Sequence, residues 1–111
     1  ALAECCFDGD GIGADVTIPA VTCDAGPGIA LTAALFGETA SRVLVSVAGT
    51  RADELLARAR TAGVPARAIG RTGGSRLRMR VDDTVAFDVD LTAAERLWAT
   101  GLSRHFERPA A

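Results

Sequence analysis

The hydrophobic positions in the second half of the chain change their spacing from one segment to the next. Val43 to Ala48 is an almost unbroken apolar run, which predicts a central strand buried on both faces. From Arg51 to Ala62 the apolar residues recur at helical spacing, so this segment predicts an amphipathic helix. Thr50 is placed to cap the start of that helix, and Gly63 marks its end.

Spacing with a period of two follows this helix. Ala66 to Arg71 predicts a strand and Gly73-Gly74 a tight turn. From Arg76 to Val81 every second residue is apolar, so those side chains share one face of a strand. Asp82-Asp83 predicts the next turn, and the alternation resumes at Val85, Phe87 and Val89. These signals predict two antiparallel hairpins.

The remaining elements are one strand and three helices. Ile12 to Ile18 predicts a strand that Pro19 closes, as is usual at a sheet edge. Short helices are predicted around Leu2, Cys5 and Cys6 and from Ile29 to Phe36, with Gly37 as a left-handed cap. Leu91 to Leu102 predicts a last helix, whose expected buried side consists of Leu91, Ala94, Leu97, Trp98 and Leu102.

This order of elements predicts an α+β fold. From residue 42 it runs strand, helix, strand, strand, strand, helix, which gives a split βαβ (ferredoxin-like) core with a mixed sheet. The two N-terminal helices are apolar enough to need a surface of their own. They are therefore expected on the opposite face, which completes a three-layer α/β/α sandwich. At 111 residues the chain is expected to be a single domain, 1–111.

Composition excludes several classes of partner and cofactor. The formal net charge is −2, there is no lysine, and aromatic residues make up only 5%, which argues against nucleic-acid binding. No apolar run approaches the roughly 20 residues of a membrane span. Three cysteines form a poor disulfide set, so a reducing cytoplasm is expected. A single histidine and no paired cysteines at metal spacing argue against a structural zinc site.

The residues that carry reactive groups have simple structural interpretations. The glycines from Gly9 to Gly13 follow a helix and precede a strand, the reverse of a dinucleotide-binding turn. Asp8 could begin a calcium loop, but Pro19 stands at the twelfth position, where a bidentate Glu is required. Cys5 and Cys6 have no basic neighbour to activate them, and His105 has no partner for a triad. No catalytic residue and no metal ligand is therefore predicted.

One segment, Leu35 to Arg42, places polar groups between a buried helix and the predicted central strand. Its Gly37 turn carries Glu38 and Arg42, which could present charges and free amides to a ligand. Alternatively, Glu38 and Arg42 pair with each other while Ser41 caps the turn. Both interpretations are open at this point.

Several stretches together resemble a known family. They are Ala1-Leu2-Ala3-Glu4-Cys5-Cys6, Gly11-Ile12-Gly13-Ala14, Leu35-Phe36-Gly37-Glu38, Ser41-Arg42-Val43, Val45-Ser46-Val47 and Ile69-Gly70-Arg71 near Gly73-Gly74. In order and spacing they look like the C-terminal domain of the phosphoribosylformylglycinamidine synthase II family, itself similar to the C-terminal domain of aminoimidazole ribonucleotide synthetase. The resemblance implies a fold of that kind. A start in mid-helix without Met fits the C-terminal fragment of a longer chain.

The resemblance also implies an activity for the longer chain. This is an ATP- and Mg²⁺-dependent ligase step of purine biosynthesis, in which the formamide oxygen of formylglycinamide ribonucleotide is phosphorylated and displaced by ammonia. The implied partners are the remaining domains of the same chain, a glutaminase subunit and a small accessory subunit. The fragment alone is expected to be inactive, to need no cofactor, and to self-associate through an apolar surface that other domains would cover.

The sequence departs from the family pattern at one place. Where the family's active copy carries Glu-Ser-Gln, this chain has Glu38, Thr39 and Ala40, and a methyl group cannot replace the hydrogen bonds of a Gln amide. Glu38 and Arg42 are thus expected to contact ligand only at a degenerate auxiliary site. Two alternatives remain: a stand-alone small-molecule-binding regulatory module, and the equivalent domain of a sister enzyme such as aminoimidazole ribonucleotide synthetase.

Overall fold

The computed structural model of the chain describes residues 1–8, 10–22, 24 and 26–107. It has an α+β fold with helices packed on a mixed sheet, as predicted. The elements in chain order are α1 (Leu2–Phe7), β1 (Ala14–Ile18), α2 (Pro27–Phe36), a 3₁₀ turn (Gly49–Arg51), α3 (Ala52–Thr61), β2 (Gly70–Thr72), β3 (Arg76–Val81), β4 (Thr84–Asp90) and α4 (Leu91–Phe106).

The four described strands are ordered β2-β1-β3-β4. β1 runs antiparallel to β2 and parallel to β3, and β3 and β4 form the antiparallel hairpin predicted at Asp82-Asp83. Two predictions are wrong. β1 lies inside the sheet and is not an edge strand, since it has hydrogen-bonded neighbours on both sides. Gly73-Gly74 joins strands that are not neighbours, because β1 lies between them.

A close backbone approach at Gly13 allows β1 to enter between β2 and β3. The Gly13 amide donates to the Gly74 carbonyl at 2.9 Å, and the Gly73 amide donates to the Gly13 carbonyl at 2.8 Å. A Cβ atom at Gly13 would collide with the Gly73 carbonyl oxygen and the Arg76 backbone. Only glycine fits there, so this residue fixes the interior position of β1.

The hydrophobic core lies on one face of the sheet. Its buried members are Cys6, Phe7, Ala14, Val16, Leu77, Met79 and Leu91. Helix α1 contributes the first two and α4 the last, and the Phe7 and Trp98 rings lie 5.6 Å apart. The prediction that α1 lies on the opposite face is therefore wrong, because its apolar side chains meet the same sheet face as α4. Helix α2 adds Leu35 to the edge of this core.

Helix α4 begins where predicted and continues to Phe106, beyond the predicted end at Leu102. Asp90 caps it, with its Oδ1 accepting from the Ala93 amide at 3.0 Å. Only the first turns of α4 lie over the sheet. Trp98 is 61% exposed and Leu102 74%, and Leu97 is also exposed, so the predicted buried side is wrong beyond Ala94.

Residues 38–68 contain no buried side chain. The predicted strand Val43–Ala48 is absent, because no hydrogen bond reaches residues 42–47 from any described residue, and Val43 is 80% exposed. The first strand of the predicted split βαβ unit is thus missing. Helix α3 forms as predicted, but Thr50 lies in the 3₁₀ turn and caps nothing. At the end of α2, Gly37 is extended, with φ −66°, and is not a left-handed cap.

Candidate functional site

The segment expected to present polar groups, around Glu38 and Arg42, is an exposed loop after α2. Neither side chain forms a hydrogen bond or an ion pair with a described residue, so the alternative in which they pair with each other is not observed. Ser41 has a positive φ of 63° and also makes no capping bond to the described residues. Glu38 and Arg42 as ligand contacts remain a prediction.

The adjacent cysteines differ in environment. Cys5 is exposed, whereas Cys6 belongs to the core. Burial, and secondarily the neighbouring Cys5 thiol, raise the pKa of the Cys6 thiol above its ordinary value. A raised pKa keeps the thiol protonated and reduces its nucleophilicity. Cys6 therefore acts as a small hydrophobic residue at the junction of α1 and the sheet.

The other candidates from the sequence are dispersed. Gly11, with φ 66°, lies in the connection from α1 into β1, the helix-to-strand order that the sequence predicted, and Gly9 is outside the described residues. His105 is exposed in the last turn of α4, with its ring 6.0 Å from that of Phe106. Among the described residues, no three His, Cys, Asp or Glu side chains come together as a metal site would require. None of the described helices is long and apolar enough to span a bilayer.

The structure does form a polar cleft on the face of the sheet opposite the core. Alternation in β1, β3 and β4 places there the side chains of Asp15, Thr17, Arg76, Arg78, Arg80 and Asp88. Register aligns three of them with Arg71 of β2 across the strands: Arg71 lies opposite Asp15, Asp15 opposite Arg78, and Arg78 opposite Asp88. The cleft has a volume of about 390 Å³ and extends to the Gly73–Ser75 loop.

Two short ion pairs cross this face. Arg80 Nη1 lies 2.7 Å from Asp15 Oδ1, and Arg76 Nε lies 2.7 Å from Asp88 Oδ1. Arg78 Nε is 3.8 Å from Asp88 Oδ2, beyond hydrogen-bonding distance. The sequence interpretation missed this cleft because it treated each charged strand position as separate solvent-facing surface. Arginine at three alternate positions of one strand was the signal that could have indicated it.

Comparison with known proteins places the chain in a family. Residues 1–82 match the family described as AIR synthase related protein, C-terminal domain. The chain is 44% identical over 102 residues to phosphoribosylformylglycinamidine synthase subunit PurL of Thermomicrobium roseum, covering 92% of this chain and 13% of that protein. The proteins of the same name from Methylocella silvestris and Moorella thermoacetica are 38% and 37% identical over 98 residues, each covering 88% of this chain and 12% of the relative.

No solved structure matches the chain. The chain spans only about an eighth of the length of these relatives, so the similarity concerns one segment of a much longer enzyme. The relatives do not favour the alternative of a stand-alone regulatory module, since the match covers nearly all of this chain. The family match over residues 1–82 and the identity to these relatives lead to one assignment: the chain belongs to the family of AIR synthase related proteins and corresponds to their C-terminal domain.

Proposed function

We propose that this chain is the C-terminal domain of a phosphoribosylformylglycinamidine synthase. The longer enzyme would catalyse the ATP-dependent amidation of formylglycinamide ribonucleotide in purine biosynthesis, in the cytoplasm. The observation that carries the proposal is the 44% identity over 92% of the chain to a relative of that name. In this role the domain supports the rest of the enzyme and performs no bond-making step itself.

The described residues offer no cluster of three potential ligands for the Mg²⁺ that such an enzyme would use. No step of the reaction is therefore assigned to a metal held by this chain. ATP and Mg²⁺ belong, in this proposal, to other domains of the longer polypeptide. Glu38 and Arg42, both exposed, remain proposed contacts at an auxiliary site between this domain and another.

Exposed apolar side chains support contact with those other domains. They occur in the extended segment 43–48, where Val45 is 56% exposed, and along the outer part of α4. Several exposed apolar side chains along one segment are typical of interfaces. The proposed occupants are the remaining domains of the same chain, with a glutaminase subunit and a small accessory subunit completing the assembly. Without those domains the same surface would favour self-association.

A chimera tests the proposal directly. The segment of the Thermomicrobium roseum protein that matches this chain would be replaced by these residues, and ATP-dependent amidation of formylglycinamide ribonucleotide measured with ammonia as nitrogen donor. We expect the chimera to be active and the 111-residue chain alone to be inactive. A folded but inactive chimera, or turnover by the chain alone, would contradict the proposal.

The proposed contact surface for the other domains can be tested separately. The isolated chain should sediment partly as dimers or larger species at high concentration and bind a hydrophobic dye. Val45→Asp, which places a charge in the exposed apolar segment, should reduce both effects, while Thr61→Asp at the end of α3 serves as a matched control. A strictly monomeric chain that binds no dye would argue against covered apolar surface.

A further inference from the structure

The polar face of the sheet carries four arginines, Arg71, Arg76, Arg78 and Arg80, beside the carboxylates of Asp15 and Asp88. Arg71, Asp15, Arg78 and Asp88 follow one another across the four described strands in register. In such a row each arginine could bind the carboxylate beside it. The observed ion pairs differ from this arrangement. Arg76 and Arg80, which lie on either side of the row in β3, bind the same carboxylates.

Both carboxylates are already bound. Asp15 accepts from Arg80 Nη1 at 2.7 Å. Asp88 accepts from Arg76 Nε at 2.7 Å, and Arg76 Nη2 also donates to the Asp88 carbonyl oxygen at 3.2 Å. The shortest contacts of both carboxylates are therefore with Arg76 and Arg80, and Arg78 is left with the longer contact to Asp88 Oδ2 at 3.8 Å.

Two guanidinium groups on this face form no hydrogen bond with a described residue, although Arg78 keeps a long ion pair with Asp88, from Nε to Oδ2 at 3.8 Å. Arg78 Nε is buried and has no hydrogen-bond partner, and Arg71 forms no hydrogen bond or ion pair with the described residues. A buried donor without an acceptor is unfavourable and uncommon in folded proteins, whereas the rest of the Arg78 side chain, which is 40% exposed, is accessible from the cleft. Both arginines line the same cleft of about 390 Å³.

The loop that closes one end of the cleft adds backbone donors. Residues 73–75 are fixed by backbone hydrogen bonds from Gly73 to Gly13, from Gly13 to Gly74, and from Leu91 to Ser75. The carbonyl oxygens of Gly74 and Ser75 each accept one of these hydrogen bonds. The backbone amides of the same two residues donate to no described residue. Successive free amides in a turn with positive φ, here 145° and 67° at Gly73 and Gly74, form a concavity that suits an anion.

From this arrangement we propose that the cleft between Arg71, Arg78 and the Gly73–Ser75 loop binds the phosphate group of a small molecule. The side chains lining it carry three positive charges, from Arg71, Arg76 and Arg78, against two negative charges, from Asp15 and Asp88. Guanidinium groups bind phosphate oxygens through paired, charge-assisted hydrogen bonds. A tetrahedral phosphate has enough oxygens to accept from two arginines and the loop amides together. This site is separate from Glu38 and Arg42 and does not depend on the proposed enzyme activity.

Titration of the chain with inorganic phosphate and with glycerol 3-phosphate tests the proposal, at a constant ionic strength of about 0.15 M so that screening is unchanged. Heteronuclear NMR would follow the amides of Gly74 and Ser75. We expect saturable shifts there with both probes, roughly tenfold weaker binding for Arg71→Gln and for Arg78→Gln, and no more than about a twofold change for Arg67→Gln. Arg67 is the matched control, because it is exposed and lies outside the cleft.

A thermal shift provides a second readout. Phosphate should raise the melting temperature of the wild type and of Arg67→Gln by the same amount, and that of Arg78→Gln by less at the same phosphate concentration, because the stabilisation depends on the ratio of ligand concentration to Kd. The proposal is overturned if no saturable shift occurs. It is equally overturned if Arg67→Gln weakens binding as much as Arg71→Gln does, since attraction would then be diffuse. If glycerol 3-phosphate binds more tightly than inorganic phosphate, the physiological ligand is a phosphate monoester, and the reverse order indicates the free ion.

Discussion

The sheet with α1 and α4 differs from the segment 38–68 in how each is held. The first region buries Leu77, Met79, Val81 and Leu91 and pairs its strands through ladders that are interrupted only by a register shift between β3 and β4 at Met79–Arg80. The second contains α3 and the apolar run 43–48, yet none of its residues is buried. In both regions the spacing of hydrophobic and polar residues along the chain is regular. The difference shows that an amphipathic pattern specifies an element, while only a partner surface specifies where the element lies.

Helix α3 illustrates what local interactions alone provide. Glu54 pairs with Arg58 Nη2 at 2.7 Å within the helix and with Arg51 Nε at 3.4 Å in the preceding 3₁₀ turn, and both pairs are exposed. Pairs of this kind contribute about 0.2–0.5 kcal/mol each, and a helix of ten residues is marginal without packing. The sheet region, by contrast, is stabilised by burial of apolar side chains that lie far apart in sequence.

The largest predicted difference between the two regions is in the free energy of unfolding that each loses when a leucine is replaced. Leu77→Ala should lower the free energy of unfolding by about 3–4 kcal/mol, because it leaves a cavity at a side chain only 2% exposed. Leu55→Ala, at a side chain 38% exposed in α3, should cost less than about 1 kcal/mol. Urea denaturation of both variants measures this. Equal losses would mean that α3 packs as tightly as the sheet.

A second difference concerns glycines. A Cβ atom at Gly70 would collide with the Asp15 carbonyl group and the Val16 Cα atom in the adjacent strand. Gly70→Ala should therefore force β2 away from β1 and cost about 1–3 kcal/mol, as overpacking generally does. Gly28→Ala is the matched control, since nothing lies within 4 Å of its Cβ position in α2 and alanine favours helix. Its thermal melt should be unchanged or shifted upward. A destabilised Gly28→Ala with a tolerated Gly70→Ala would reverse the comparison.

The sequence predicted those elements whose signals are local. Alternation located β3 and β4 with the turn at Asp82-Asp83, and helical spacing located α3 and the start of α4. The position of β1 was not predictable in this way, because it depends on a contact between Gly13 and a loop about sixty residues away. The apolar run 43–48 resembles a buried strand in composition, but composition does not supply the neighbouring strand that would pair with it.

The two candidate sites show the same limit. Glu38 and Arg42 stood out because a glycine turn with charged residues is visible in the sequence. The cleft at Arg71 and Arg78 depends on which arginine reaches which carboxylate across three strands. That choice follows from register and from diagonal contacts, which no spacing along the chain reveals.

Substitutions at the N-termini of α4 and α3 should differ less in their effect on stability. The Asp90 side chain accepts from the Ala93 amide at 3.0 Å, so Asp90→Ala should remove about 1 kcal/mol from the free energy of unfolding. Asp53, in the first turn of α3, makes no such bond, and Asp53→Ala should change stability by less than about 0.5 kcal/mol. Thermal denaturation of both variants gives the comparison. Asp90→Asn should retain most of the wild-type stability, which separates the loss of the cap from other effects of the substitution.

The smallest predicted contrast concerns two ion pairs of equal length. Arg80 and Asp15 join β3 to β1, whereas Arg58 and Glu54 lie on α3, each at 2.7 Å. The Arg80 side chain is 30% exposed and the Arg58 side chain 74%, whereas Asp15 and Glu54 are similarly exposed at 52% and 47%, so water screens the first pair less at its arginine only. Double-mutant cycles should give a coupling of about 0.5–1 kcal/mol for the pair in the sheet and below about 0.5 kcal/mol for the pair in the helix.

The cycles would use Arg80→Gln with Asp15→Asn, and Arg58→Gln with Glu54→Gln, in low salt and again in 1 M salt. High salt should nearly abolish the coupling in α3 and leave part of the coupling across the sheet, because a partly buried pair is less accessible to counterions. A pair on α3 that couples as strongly as the pair between strands, and resists salt equally well, would show that the segment 38–68 is held against another surface. Such a result would contradict the conclusion that the sheet region, and not the segment 38–68, is held by tertiary packing.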